Sequence, residues 1–174
     1  MSGMPNPLYV VASRLLSSVE QQIALTPAGI PAKSRIEVVP GTLAWDECEC
    51  GLLAVEWTGA QYADTPPTPS VQRDGGCRPY VFGSYKVTMA RCVPGVQAEG
   101  RSPTVAQLDA AAQIQFDDVL AMLKGSSLAM VSLSDDNTIV GFDMSGVIPQ
   151  GPEGGCVAVT QTLNAYIPNN YGPC

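Results

Sequence analysis

Histidine is absent from this chain of 174 residues, and charged side chains are scarce. Asp, Glu, Lys and Arg together make up 14% of the sequence, against about 25% in an average soluble domain. Without histidine, the Ser-His and Cys-His nucleophiles and most catalytic zinc sites are excluded. Because so little charge leaves much uncharged surface on a monomer, we expect an obligate oligomer.

Basic residues are the scarcer of the two charged classes. Nine Lys and Arg stand against 16 Asp and Glu, a net charge of −7, and residues 36–72 contain no basic residue. Nucleic-acid binding needs a clustered basic face, so specific DNA or RNA recognition is disfavoured. Hydrophobic residues make up 45% of the chain, which is enough to build a core and excludes charge-driven disorder.

Long apolar runs are also missing. No window approaches the roughly 18 consecutive apolar residues of a transmembrane helix. The N-terminal stretch MSGMPNPLYVVASRLL has no basic start typical of a secretory signal. We therefore expect a protein that is made and kept in the cytoplasm and has no membrane partner.

Paired Cys-x-x-Cys motifs are missing from the six cysteines, and only Cys48-x-Cys50 comes close to this zinc-binding pattern. Small buried thiols are the preferred interpretation in a reducing compartment. Disulfides formed later, in an oxidising environment, remain an alternative. The other cysteines are Cys77, Cys92, Cys156 and Cys174.

The acidic motifs do not predict a catalytic or metal site. Asp46-Glu47-x-Glu49 lacks the spacing of a calcium loop and is interpreted as a solvated turn. Asp117-Asp118 and Asp135-Asp136 are interpreted as surface pairs, because adjacent side chains on a helix point in different directions. Trp45 and Trp57 flank the acidic turn and suggest burial or a subunit contact. We predict no catalytic residue, no cofactor and no essential metal.

Two amphipathic helices are predicted. The first spans 5–25, with Asn6-Pro7 at its start. The second spans 103–124, with Ser102 as N-cap and Gly125 as the stop. Its apolar stripe is expected to be the main packing element against the sheet and comprises Val105, Leu108, Ala112, Phe116, Val119, Leu120 and Leu123.

Several predicted strands follow each predicted helix. This order favours a single α+β domain over 1–174, with a mainly antiparallel sheet packed by two helices. A long loop is predicted at 58–79 and an irregular tail at 168–174. The predicted strands are 35–39, 52–57, 84–93, 128–133, 138–142 and 156–167.

Four segments resemble a family of small proteins encoded among the head and tail genes of long-tailed actinobacteriophages. They are WDECECGLLAVEW (45–57), YKVTMARCVP (85–94), SPTVAQLDAAA (102–112) and GPEGGCVAVTQTLNAYI (151–167). These proteins look like tail terminators, which are α+β subunits of a six-fold ring that caps the tail tube beneath the head. The resemblance implies no catalytic residues, and residues 126–148 match nothing in it.

The partners that the resemblance implies are further copies of this chain in a homo-hexamer, the tail tube protein and the connector or stopper proteins of the neck. Genomic DNA would pass the channel without specific binding. The protein would be assembled in the host cytoplasm and end in the virion neck. A connector or stopper ring protein is the first alternative. A disulfide-stabilised binding module and an enzyme are alternatives from other classes.

Overall fold

The computed structural model describes residues 5–31, 35–42, 51–63, 80–95, 102–153 and 155–169. The chain folds as α+β, with two helices packed on a mostly antiparallel sheet, and the predicted fold class is confirmed. The helices are α1 (Pro7–Ala24) and α2 (Val105–Asp135). The strands are β1 (Arg35–Pro40), β2 (Leu52–Ala63), β3 (Tyr80–Cys92), β4 (Gly141–Met144), β5 (Ile148–Glu153) and β6 (Cys156–Pro168).

The strands form one sheet in the order β1-β2-β3-β6-β4. The central strands β3 and β6 pair along their full 13 residues, in a register that places Met89 opposite Val159. β4 and β5 both pair with β6, along its 163–166 and 156–160 segments. β1 forms the edge of the sheet opposite β4. It pairs in parallel with β2, whereas the other pairings in this sheet are antiparallel.

The first helix forms as the sequence predicts. Asn6 Oδ1 accepts a hydrogen bond from the Leu8 N–H at 2.9 Å, and Pro7 occupies the first turn. One stripe of the helix is buried against the sheet and consists of Val11, Ala12, Leu15, Val19 and Ile23.

The main core lies between the helices and one face of the sheet. Tyr85 is fully buried there, and its hydroxyl donates to the Leu8 carbonyl at 3.2 Å. α1 packs on β1, β2, β3 and β6, and α2 packs on α1 and β6. The other face of the sheet carries a charged group, because Glu56 is buried and accepts from Thr88 Oγ1 at 3.1 Å and Lys86 Nζ at 3.2 Å.

The second helix is longer than predicted and begins two residues later. Thr104, not Ser102, is the N-cap, and it forms a capping box with Gln107. The helix continues through Gly125 to Asp135, so the predicted stop and the predicted strand at 128–133 are wrong. Ala129, Met130 and Leu133 continue a buried helix face, and Gly125 allows a close helix contact instead of ending the helix.

Other predicted boundaries also shift. β2 extends to Ala63, so residues 58–63 are strand and not the start of a loop. The strand predicted at 138–142 begins three residues later, as β4 at Gly141, and β5 was not predicted. Pro168 ends β6 instead of opening the tail. The rest of the predicted loop (64–79), most of the tail (170–174), the acidic turn with Trp45, and four cysteines (48, 50, 77 and 174) lie outside the described residues.

Neither helix of the described chain is long and apolar enough to cross a membrane.

Candidate functional site

Most of the apolar stripe predicted to pack α2 onto the sheet faces solvent instead, although Ala112 and Val119 are half-buried and Val119 packs against the core. Val105 is 85% exposed, Phe116 69% and Leu120 66%. Leu108 and Leu123 are also exposed. The prediction that this stripe forms the core contact is therefore wrong. We call the surface formed by Val105, Leu108, Phe116, Leu120 and Leu123 the α2 stripe.

A different face of α2 supplies the contacts to the body of the protein. Its buried side chains begin at Asp118 and continue with Met122, Ala129, Met130 and Leu133, among others. No side chain in the N-terminal part of the helix, 105–117, is fully buried. The helix thus has apolar residues on two faces, and only the face in its C-terminal half is covered within the subunit.

The buried carboxylate of Asp118 anchors the middle of α2 to the sheet. Arg91 on β3 donates from Nε to Asp118 Oδ2 and from Nη2 to Asp118 Oδ1, the latter at 2.8 Å. The same Nη2 donates to the Gly29 carbonyl, which follows α1, at 2.6 Å. The side chains of Arg91 and Asp118 are 14% and 4% exposed, respectively. Asp118 is therefore not the surface residue that the sequence predicted, whereas its neighbour Asp117 is half-buried.

The two helices run antiparallel and come closest at Gly125. Ser18 Oγ donates to the Gly125 carbonyl at 2.8 Å, and Arg14 donates to Ser132 Oγ and pairs with Asp136, the C-cap of α2. A Cβ on Gly125 would lie 2.7 Å from the Val19 Cα. At 1.5 Å per residue, 31 residues of α2 span roughly 46 Å and 18 residues of α1 roughly 27 Å. The N-terminal part of α2 therefore extends well past the end of α1.

A second apolar surface lies at the β1 edge of the sheet. A groove of about 350 Å³ separates the start of α1 from β1 and β2. Tyr9, 58% exposed, and Trp57, 37% exposed, contribute its aromatic side chains. We call this the α1–β1 groove, and its other described lining residues are Asn6, Leu8, Ala12, Val38, Val39 and Pro40. Trp57 is exposed at this surface, and the subunit contact that the sequence suggests for it stays a prediction.

Each buried carboxylate in the described part of the chain is paired with a cation of the same subunit. A cavity of about 280 Å³ beside Arg91 and Asp118 is otherwise lined mainly by apolar side chains, and the two charges satisfy each other. Burial raises the pKa of Tyr85 above its ordinary value. Among the described residues, no three side chains of the metal-binding types form a cluster. Cys156 is buried and disulfide-bonded, which favours the disulfide alternative for this cysteine.

Sequence reasoning missed both the Arg91–Asp118 pair and the α1–β1 groove. The pair joins residues 27 positions apart, and nothing local to Asp118 distinguishes it from Asp117. Tyr9 did leave a signal, because it is an aromatic residue outside the buried stripe of α1. Comparison of the sequence with family models and with curated proteins found no match.

Proposed function

We propose that the protein is a tail terminator, a structural virion protein whose subunits form a hexameric ring at the head-proximal end of a phage tail tube. The exposed α2 stripe carries this proposal. Contiguous apolar patches above a few hundred Å² on a soluble protein mark interaction sites, and five large apolar side chains on one helix form such a patch.

The charge distribution supports a ring through which DNA passes. The net charge of −7 repels phosphate, so a channel wall of this protein would not retain the genome. The buried charges are paired within the subunit, Arg91 with Asp118 and Lys86 with Glu56. This arrangement suits a structural role, and we propose that the protein is not an enzyme.

The proposed partners are other copies of this chain, the tail tube protein and the connector or stopper proteins on the head side. The ring would be assembled in the host cytoplasm and remain in the neck of the virion. A connector or stopper ring of the neck is the alternative within the same class, since such a ring needs the same exposed apolar surface.

A disulfide-stabilised binding module is a second candidate, and the disulfide of Cys156 is the observation that favours it. Counting the free thiols of protein purified from the cytoplasm separates the two. A ring subunit assembled in a reducing compartment keeps most of its six cysteines reduced. A binding module stabilised by disulfides has most of them oxidised.

The test of the tail-terminator proposal uses purified chain and isolated tail tubes. Electron microscopy should show extra density at one end of each tube, and light scattering should show a species larger than the monomer. The double variant Phe116→Glu, Leu120→Glu should lose both. Leu128→Glu is the matched control, because Leu128 is 50% exposed and lies roughly 120° around the helix from Phe116. Tubes that remain bare with wild-type protein would contradict the proposal, and binding to head portals alone would favour the connector alternative.

A further inference from the structure

We propose that neighbouring copies of this chain associate head to tail, with the α2 stripe of one copy packed into the α1–β1 groove of the next. This inference rests on the proposed ring and identifies the two surfaces that would build it. The occupant of each surface is therefore a second copy of the same chain.

The positions of the two surfaces in the fold support contact between unlike patches. The groove lies at the β1 edge, beside the start of α1. The stripe lies on α2, which packs on α1 and on β6, two strands further across the sheet from β2. A patch that binds a different patch on the next copy generates a ring or a filament, whereas a self-complementary patch closes a dimer. Two separate apolar patches on one subunit meet this requirement.

One of the two surfaces is convex and the other is concave. The stripe is a convex helix face with Phe116 near its middle and Leu120 one turn later. The groove is concave, and Tyr9 and Trp57 are among its lining residues. Aromatic side chains are enriched at the centres of interfaces and favour edge-to-face contacts with other rings. The Phe116 ring therefore has an aromatic-lined recess of about 350 Å³ available on the neighbouring copy.

Charge and area also fit a second copy. No described lining residue of the groove is charged, and the stripe residues are all apolar, with Asp109 beside them. From their exposed fractions, the five stripe side chains present on the order of 500 Å², against about 800 Å² per partner in a standard interface. The stripe thus offers more than half of the area that one partner buries in a standard interface. Because one subunit carries one stripe and one groove, each copy in a closed ring uses both.

The experiment is a complementation test with two fold-preserving variants. Variant S, Phe116→Glu with Leu120→Glu, blocks the stripe and keeps the groove. Variant G, Tyr9→Glu, blocks the groove and keeps the stripe. The controls are Leu128→Glu on α2 and Gln21→Glu on α1, which add charge at exposed positions outside the two surfaces. Circular dichroism verifies that all four fold, and light scattering at the highest soluble concentration gives the mass of each species.

Wild type and both controls should form the large oligomer, and S and G alone should each be monomeric. An equal mixture of S and G should give a one-to-one dimer and nothing larger. The stripe of G fits the groove of S, while the stripe of S and the groove of G are blocked. Assembly of G alone would overturn the inference and indicate stripe-to-stripe pairing. A monomeric wild type, a mixture that stays monomeric, or assembly of S would overturn it as well.

Failure of this inference can be distinguished from failure of the tail-terminator proposal. If wild type assembles through the stripe and groove but leaves tail tubes bare, the surfaces stand and the proposed function fails. If wild type caps tubes and S loses this capping while G still assembles, the proposed function stands and the inferred groove contact is wrong.

Discussion

Replacing Asp118 by Asn should destabilise the subunit strongly. Asn is nearly the same size as Asp but leaves the guanidinium of Arg91 without its counter-charge, at a site where the two side chains are 14% and 4% exposed. Removing one partner of a buried ion pair costs about 3–5 kcal/mol. Because Asn can still accept one hydrogen bond and Arg91 keeps its bond to the Gly29 carbonyl, we expect the low end of that range, about 3 kcal/mol.

Thermal and urea unfolding followed by circular dichroism measure this loss. For a chain of this size, a loss of 1 kcal/mol lowers Tm by about 2–4 °C, so Asp118→Asn should lower Tm by about 6–12 °C. Asp117→Asn is the matched control, with the same substitution one residue away, and it should change the free energy of unfolding by less than about 0.5 kcal/mol.

A double variant separates the charge effect from a loss of packing. Asp118→Leu with Arg91→Met replaces both charges by apolar side chains, and such replacements of buried pairs are often neutral or stabilising. We expect it to be more stable than Asp118→Asn. If Asp118→Asn were no less stable than Asp117→Asn, the two carboxyls would be equivalent and the role given to the Arg91–Asp118 pair would be wrong.

Three further outcomes are expected. Gly125→Ala should cost about 1–3 kcal/mol in chemical unfolding, because its Cβ would approach the Val19 backbone at 2.7 Å; equal or greater stability would mean that the helices separate freely. Phe116→Ala should change the stability of the monomer by less than about 1 kcal/mol, because this ring is 69% exposed, while reducing the oligomer mass in light scattering; a loss of several kcal/mol would show that the ring packs within the subunit. Burial raises the pKa of Tyr85, so the folded state holds this proton longer than the unfolded state, and stability is fully present below about pH 10 and declines above it. In an alkaline absorbance titration, Tyr85 should ionise only with unfolding, and ionisation in the folded protein would contradict this.

The first helix was predictable because its sequence contains one apolar stripe and one clear start signal. Apolar residues from Val11 to Ile23 fall on one stripe with polar residues opposite, and Asn6-Pro7 marks the start. Local capping and the position of the buried face agree, so no tertiary information was needed. The fold class followed for the same reason, since strands came in runs after each helix.

The second helix was not predictable to the same depth because its sequence is apolar on two faces. Helical spacing identifies an amphipathic stripe but does not say whether the subunit or a neighbour covers it. Gly125 has the low helix propensity of a stop signal, yet it occupies the point of closest approach to Val19. Whether Gly125 ends the helix or admits a close contact depends on where α1 lies. Contacts between residues more than 100 positions apart therefore decide it. The same limit applies to Asp118, whose partner is on another element.

The division of α2 into a covered half and an uncovered half has a consequence for amide hydrogen exchange. Amides from Asp118 to Asp135 belong to the packed body and should exchange only through large-scale unfolding. Amides between Val105 and Asp117 lie where no side chain is fully buried, and a helical segment of about a dozen residues is marginal in water on its own. In the free subunit these amides should exchange through local fraying, limited by the capping box at Thr104. In the assembled ring their protection should rise toward that of the body, so the exchange rate along one helix would report assembly residue by residue.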